Sequence, residues 1–419
     1  MHILRSGARS IRDQALTLVS HMPRRQFATI VAGELDDYSK RRLAMSKAHW
    51  VQMSLPADLH PLRQIDTAKR LARLLQDQQT DVVHAHGFQA AFTALYARRH
   101  LRRKPAVICT PYGLPGLDDR PALQRRWVAT AARWVVREAD MVIVHSEHES
   151  LQLQTLAPDP LHNLRIVPEG VALESLREDF EPGAKRRLVG LDPGAAVVGV
   201  MAPPGARGIR CFLEAAQTVM ARTPNVDFVS IGEDAKTEEF AGIAHNLGLS
   251  GCMVFLGERA DVVEVIASLN VLVIPADYPG ARYHAVHALA NGIPLVVAAE
   301  GGLPEVVSDV KQARTVPPDS PAALVDALSD FIDAVPQAGD DNLYDDELGF
   351  SYRDLLVAGT VIDLDSRGLD PVAGKQLDEQ QAAVQRTIQR HSMRRMAAQF
   401  ADFYAQLADR CVTGIRRES

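Results

Sequence analysis

Cysteine is scarce in this sequence of 419 residues, and its four copies lie far apart. No two of them form a C-x-x-C pair, so their spacing predicts neither a disulfide framework nor a zinc site held by thiolates. Long apolar runs are also missing, since no stretch approaches the roughly 18 uncharged apolar residues that a membrane-spanning helix requires. The cysteines are Cys109, Cys211, Cys252 and Cys411.

The first 14 residues have no apolar core of the kind that a secretory signal needs, because Arg5, Arg9 and Arg12 interrupt them. We therefore expect a cytoplasmic protein. Hydrophobic residues make up 47% of the chain and charged residues 23%, which is typical of a soluble globular protein. At about 150 residues per domain, the length favours two to three domains.

Charge is unevenly distributed along the chain. Residues 1–190 contain 28 Lys and Arg against 20 Asp and Glu, whereas the remainder contains 18 against 32. Eleven of the acids lie in residues 340–379. We expect no nucleic-acid partner, because the net charge is -6 and the basic runs contain no aromatic residues.

Short β-rich apolar runs alternate with helical patterns in two successive series, which is typical of parallel sheets covered by helices. The predicted strands of the first series are 28–31, 81–84, 106–110 and 141–145. Those of the second series are 197–201, 226–231, 253–256, 271–274 and 294–298. The pattern predicts an α/β protein with two doubly wound, Rossmann-like domains.

The turn-forming and charged residues of 179–193 have the composition of an interdomain linker. We predict a first domain over residues 1–187 and a second over 188–385. Within the second domain, residues 337–385 interrupt the alternation with acids and glycines, so we interpret them as an acidic insertion. An amphipathic pattern then predicts a C-terminal helix within residues 386–419.

The segments that follow the predicted strands resemble, in their order and spacing, those of the retaining family-4 glycosyltransferases. In the first half these segments are Asp81-Val82-Val83-His84-Ala85-His86-Gly87, Thr110-Pro111-Tyr112-Gly113, residues 139–146 and Ile166-Val167-Pro168-Glu169-Gly170-Val171. In the second half they are Ala206-Arg207-Gly208, Ser230-Ile231-Gly232, residues 288–294 and Gly301-Gly302-Leu303-Pro304-Glu305.

The resemblance implies the GT-B fold, in which two Rossmann-like domains face a central cleft and the C-terminal helix crosses back to the first domain. It further implies a nucleotide-sugar as co-substrate, bound mainly by the second domain, and an acceptor on the first domain, either lipid-linked or a polysaccharide. Helix N-termini and basic side chains would stabilise the diphosphate leaving group, so no cofactor and no metal are expected.

The sequence departs from the family at several charged positions. Met201-Ala202 stand where the family has Gly-Arg, and Arg207 replaces its lysine. The family's two glutamates, eight residues apart, correspond to Pro279 and His287, and the histidine that faces the transferred sugar corresponds to Tyr112. The framework resembles the family more closely than the functional side chains do.

The resemblance, together with the positions of Arg282 at a predicted helix start and of His86 after a predicted strand, gives three groups of candidate site residues. The candidate catalytic residues are Tyr112 and His287. The candidate donor-binding residues are Arg207, Gly208, Gly232, Gly280, Arg282, His287 and Glu305. The candidate acceptor-side residues are Gly7, His86 and Tyr112. For most of them a packing or rim position is an open alternative: Arg282 as a solvated arginine, and Glu305 as a residue that shapes its loop.

A basic run ends a predicted helix in the first half, and lipid headgroups would be attracted to it. Cations at a helix C-terminus are also favoured by the helix dipole alone, and we prefer that interpretation to peripheral contact with the inner membrane face. Zinc held by Asp277, His284 and His287 is a less favoured alternative. The basic run comprises Arg98, Arg99, Arg102, Arg103 and Lys104.

Two functions therefore remain open at this point. One is a glycosyltransferase whose site has been altered, with Arg207 and Arg282 neutralising the diphosphate, His287 near the ribose and Tyr112 near the sugar. The other is an inactive GT-B pseudoenzyme that serves as a binding protein or as the partner subunit of an intact glycosyltransferase.

Overall fold

The computed structural model describes residues 1–5, 9–55, 61–113, 122–157, 161–172, 181–202, 208–232, 237–278, 280–333 and 379–413. The chain divides into two compact units. The first unit comprises Met1–Ala172 and His391–Ser419, and the second comprises Leu173–Arg390. The predicted acidic insertion lies almost wholly outside the described residues.

The first unit is built on a seven-stranded parallel sheet with the strand order β3-β2-β1-β4-β5-β6-β7. Strands β5 and β6 are buried along their whole length, because helices cover both faces of a parallel sheet. The strands are β1 (His2–Leu4), β2 (Ile30–Gly33), β3 (His49–Gln52), β4 (Val82–His86), β5 (Ala106–Thr110), β6 (Met141–Val144) and β7 (Leu164–Ile166).

Helices follow these strands in the right order for a doubly wound fold. The N-cap side chains of Asp36 and Ser146 accept hydrogen bonds from backbone N–H groups three residues on, which satisfies donors that a helix start leaves free. The helices are α1 (Arg9–His21), α2 (Asp37–Met45), α3 (Pro61–Asp77), α4 (Phe88–Arg98), α5 (Ala122–Glu138) and α6 (Glu147–Leu156).

The second unit is built on a six-stranded parallel sheet with the strand order β10-β9-β8-β11-β12-β13. Four strands were not predicted from the sequence: β1 and β7, which have only three residues each, and β3 and β13, of whose eight residues only one is buried. The strands are β8 (Ala196–Met201), β9 (Val226–Ile231), β10 (Met253–Phe255), β11 (Val271–Ile274), β12 (Leu295–Ala298) and β13 (Ala313–Val316).

The first helix of the second unit, α7 (Pro182–Leu188), lies close to the boundary between the two units. This helix is part of the predicted linker, but Lys185 Nζ lies 2.5 Å from Asp261 and 2.7 Å from Glu264, which ties it to the second unit. The boundary is therefore earlier than residue 187. The helices are α7 (Pro182–Leu188), α8 (Ile209–Arg222), α9 (Thr237–Asn246), α10 (Val262–Ile266), α11 (Ala281–Ala290), α12 (Leu303–Val307), α13 (Pro321–Ile332) and α14 (Glu379–Arg390).

The end of the chain belongs to both units. Helix α14 contacts α11 in the second unit, whereas α15 (Met393–Thr413) contacts α1, β4 and β5 in the first. Phe400 on α15 is fully buried, and the Met393 N–H donates to the Val171 carbonyl oxygen. A C-terminal helix thus completes the first unit, but residues 386–390 of the predicted segment lie in the second.

Position 208 requires glycine, because its backbone has a positive φ and a neighbouring residue leaves no room for a side chain. Its φ is 75°, and a Cβ there would lie 2.5 Å from Pro275 Cβ, which follows β11. By contrast, Gly242 lies exposed within α9, and a Cβ there would meet nothing within 4 Å.

We therefore expect Gly208→Ala to lower the free energy of unfolding by about 1–3 kcal/mol, because alanine is strained at positive φ and clashes with Pro275. Gly242→Ala is the matched control and should raise it by about 0.4–1 kcal/mol. Urea unfolding of both variants checks this. Equal effects of the two substitutions would contradict the assignment of Gly208 as a crowded position.

Candidate functional site

Loops converge at the carboxyl edge of the second sheet, where ligands of open α/β sheets bind. Gly208 is the N-cap residue of α8 after β8, and Gly232 directly follows β9 with φ 136°. A Cβ on Gly232 would lie 2.4 Å from the Ala202 carbonyl oxygen, so the chain after β8 and the end of β9 touch through backbone atoms.

One carboxylate joins the loop after β11 to the loop after β12. Asp277 Oδ2 accepts a hydrogen bond of 2.9 Å from the Gly302 N–H, and the Asp277 N–H donates to Glu300 Oε1 at 2.7 Å. A Cβ on Gly301 would lie 1.7 Å from Asp277 Oδ2, so only glycine fits there. We call this arrangement the Asp277 network.

Arg282 is part of the Asp277 network and is not a solvated rim residue. Its side chain is 4% exposed, and its Nη1 lies 3.3 Å from Asp277 Oδ2. Its role in neutralising a diphosphate stays a prediction. The buried ion pair fixes the start of α11, where Gly280 is the N-cap residue with φ 100°.

Helix α11 carries buried polar atoms for which the described residues offer no hydrogen-bond partner: His284 Nδ1 and His287 Nε2. Tyr278 Oη, just before the helix, is a third. Burial lowers the pKa of His284 to about 4, and burial followed by the charge of His284 lowers that of His287 to about 3. Both imidazoles are therefore neutral at physiological pH and can donate or accept one further hydrogen bond each.

Of the remaining candidates of the second unit, Glu305 can be placed, whereas Arg207 cannot. Glu305 lies in the first turn of α12 and is half-buried. Arg207 and Pro279, like Gly7 of the first unit, lie outside the described residues. Within the described residues Asp277, His284 and His287 do not bring three ligand atoms together, so the zinc alternative for this set has no support.

Tyr112 of the first unit is buried and turns its hydroxyl towards β4. It follows β5 with φ 56°, a conformation that is rare for a residue other than glycine, and its Oη lies 3.0 Å from His86 Nδ1. Burial, with smaller contributions from the charges of Glu169 and Glu149, raises the pKa of the phenol well above 10. The phenol therefore acts as a neutral hydrogen-bonding group.

A chain of imidazoles and hydroxyls extends from Tyr112 into the unit. His86 Nε2 lies 3.1 Å from His2 Nδ1, and His84 lies 2.6 Å from Tyr404 Oη and 2.8 Å from Thr110 Oγ1. Of these histidines, His86 was predicted to lie in the site and His84 to be packed. His2 was missed, although the usual doubly wound order sets β1 beside β4 and would have aligned His2 with the two β4 histidines.

His145 follows β6 next to Tyr112, with ring centroids 5.3 Å apart. Its Nδ1–H donates to the Val167 carbonyl oxygen at 2.7 Å, and its buried Nε2 has no hydrogen-bond partner among the described residues. Its backbone N–H donates to the Glu149 carboxylate at 2.8 Å. His145 is thus a further polar group at the carboxyl edge of the first sheet, and sequence reasoning did not single it out.

Most of the predicted basic patch is already engaged within the first unit. Arg98 pairs with Asp140 at 2.6 Å, Arg99 lies over the Trp134 ring, and Arg103 pairs with Asp81. Arg102 and Lys104 are exposed, and membrane contact through them stays a prediction. No helix within the described ranges is long and apolar enough to cross a bilayer.

Both units match family models of glycosyltransferases. Residues 14–175 match the family model described as Glycosyltransferase Family 4, and residues 192–334 match that described as Glycosyl transferases group 1. A D-inositol 3-phosphate glycosyltransferase of Mycolicibacterium gilvum is 32% identical over 302 residues, which cover 67% of this chain and 65% of that protein. The chain thus spans slightly less than two thirds of that relative.

A second relative and a solved structure are matched over a larger share of their own length. A UDP-Gal:alpha-D-GlcNAc-diphosphoundecaprenol alpha-1,3-galactosyltransferase of Escherichia coli is 24% identical over 314 residues, covering 71% of this chain and 78% of that protein. The crystal structure of Anabaena Alr3699/HepE in complex with UDP and glucose superposes with a TM-score of 0.71 at 16% identity, covering 97% of this chain and 98% of that one. The fold is therefore shared along nearly the whole chain.

Stability should fall in acid because buried histidines are held neutral. His287 has a pKa of 6.5 when unfolded and about 3 when folded, so the unfolded chain binds more protons between these values. The free energy that His287 contributes to stability is fully present above pH 6.5 and is lost as the pH falls towards 3. The loss is about 2 kcal/mol near pH 5.

Urea unfolding near neutral pH and near pH 5 measures the effect. His287→Leu removes one such group, so its unfolding free energy should decrease less on acidification than that of the unmodified protein. His49→Leu alters an exposed histidine of β3 and serves as the control. Identical pH dependence in all three proteins would contradict the buried neutral state of His287.

Proposed function

We propose, from the premise that this chain belongs to the family-4 glycosyltransferases of the GT-B fold, that it transfers a sugar from a UDP-sugar to a hydroxyl group of a phosphorylated acceptor. The anomeric configuration of the sugar is retained in this proposal. The donor is assigned to the second unit and the acceptor to the first.

The observation that carries the donor assignment is the crowding of loops at the carboxyl edge of the second sheet. Gly208, Gly232 and Gly301 each lie where a Cβ would meet another atom at 2.5 Å or less. Helices α8 and α11 both begin there, and the first N–H groups of a helix have no partner within the helix. Such N–H groups and the positive end of the helix dipole favour a diphosphate.

The nucleotide and acceptor classes are supported by the relatives. HepE was crystallised with UDP, and the name of the Escherichia coli enzyme contains UDP-Gal. The acceptors printed in the names of the two relatives, an inositol phosphate and a diphosphoundecaprenol, both carry phosphate. The excess of eight positive charges in residues 1–190, obtained as 28 minus 20, is the sign that such an acceptor requires.

In the proposed transfer, the bond between the anomeric carbon and the diphosphate oxygen breaks while the acceptor oxygen bonds to that carbon. The acceptor proton passes to the departing phosphate oxygen. Tyr112 does not take this proton, because a phenol with a strongly raised pKa stays neutral, so its role is to donate or accept a hydrogen bond. His287, neutral and buried, is assigned to a hydrogen bond with the donor.

Calorimetric titration with UDP-, GDP- and ADP-sugars tests the donor assignment, and transfer assays with NMR of the product test retention. We expect UDP-sugars to bind most tightly. No binding at millimolar donor concentration would overturn the proposal and leave the pseudoenzyme, acting as a binding or partner subunit, as the explanation of the fold.

His287→Phe should lower kcat/KM at least tenfold, because the ring nitrogens are removed while the aromatic volume is kept. The matched control is His245→Phe on α9 of the same unit, which alters an exposed histidine and should leave the rate unchanged. Equal rates for both variants would remove His287 from the site.

A further inference from the structure

The register of two neighbouring strands brings three histidines together on one face of the first sheet. His2 of β1 is aligned with His84 of β4, and Leu4 with His86. Side chains two residues apart on a strand point to the same face, so His84 and His86 both lie beside His2. The ring centroids of His84 and His86 are 4.1 Å apart. The His2 ring centroid lies 5.3 Å from that of His84 and 5.4 Å from that of His86.

We propose that His2, His84 and His86 form a binding site for a divalent transition-metal ion, with Zn²⁺ as the matching probe. One ring nitrogen of each lies within 4.8 Å of the others. His2 Nδ1 and His86 Nε2 are 3.1 Å apart. Two imidazole nitrogens bound to one tetrahedral Zn²⁺ at 2.0–2.1 Å are about 3.3 Å apart, so this pair has nearly the required spacing.

The ligand type of the cluster suits a metal ion. Imidazole nitrogens are ligands that divalent transition metals prefer, and all three histidine side chains are buried on one face of the sheet. The acidic side chains that face this region are Glu149 and Glu169, whose charges act on the neighbouring Tyr112.

Hydroxyl groups around the cluster match the outer shell of a histidine metal site, in which the second ring nitrogen is held by a hydrogen bond. Tyr112 Oη holds His86 Nδ1 at 3.0 Å. His84 has Tyr404 Oη at 2.6 Å on one nitrogen and Thr110 Oγ1 at 2.8 Å on the other. On ligation, His84 binds the ion through Nε2, releases Thr110 Oγ1 and keeps Tyr404 Oη on Nδ1, and the Thr110 hydroxyl or a water occupies the fourth position.

The site has a structural consequence, because Tyr404 lies on α15 while the ligands lie on β1 and β4. A bound ion would connect the C-terminal helix to the centre of the sheet through His84 and Tyr404. Metal binding to the folded state alone stabilises it by mass action. The inference concerns the first unit only. It shares His86 and Tyr112 with the proposed acceptor side, but its readouts, metal binding and Tm, do not require glycosyl transfer.

The test uses the tag-free full chain, freed of metal with a chelator and titrated with Zn²⁺. We expect one equivalent to bind with a micromolar or lower Kd and to raise Tm. Co²⁺ should give the visible absorption of a tetrahedral site with nitrogen ligands. A protein that takes up no stoichiometric Zn²⁺ overturns the proposal.

Variants locate the site. His86→Gln should weaken Zn²⁺ binding by at least 100-fold, and Tyr404→Phe, which keeps the aromatic packing, by about tenfold. His287→Gln, a buried histidine of the second unit, is the control and should bind as the unmodified protein does. Should His86→Gln fail to fold, the Tyr404→Phe affinity decides. Binding unchanged in the folded variants would contradict the assignment of these ligands.

Discussion

The carboxylate of Asp277 is the interaction on which the candidate donor site depends. It accepts the Gly302 N–H and lies 3.3 Å from the guanidinium of Arg282, so it sets the distance between the loop after β12 and the start of α11. Gly301 has no space for a side chain because Asp277 occupies it. Since both partners are largely buried, this pairing also holds the two loops in one arrangement before any ligand arrives.

The first unit uses the same topology with different chemistry. Its central strands β1 and β4 carry histidines where the corresponding strands of the second unit, β8 and β11, carry aliphatic residues. Parallel register aligns these histidines, and hydroxyls from β5 and α15 satisfy their nitrogens. The C-terminal helix is thereby attached to the sheet by polar contacts as well as by Phe400. The fold thus brings one polar cluster to each sheet.

Much of the fold could be predicted from the sequence because buried parallel strands have continuous apolar runs, as in β5, β6 and β11. Strands β1 and β7 could not, since they have three residues each, and β3 and β13 could not, since only one of their eight residues is buried. The glycine positions of the site followed from the family resemblance. The pairing of Arg282 with Asp277 did not, because a sequence shows charges but not which of two neighbouring loops a side chain faces. Tyr404 was missed because 402 residues separate it from His2, and only the packing of α15 against the first sheet brings their rings to 5.8 Å.

The affinity of Asp277→Asn for UDP, measured by calorimetry, tests most directly whether the Asp277 network builds the donor site. Asparagine keeps the size of the side chain but removes the negative charge beside Arg282. Asp330→Asn, which removes a carboxylate from the exposed pair with Arg314, is the control. The account predicts at least tenfold weaker UDP binding for a folded Asp277→Asn protein and unchanged binding for the control. Unchanged affinity in both would contradict it.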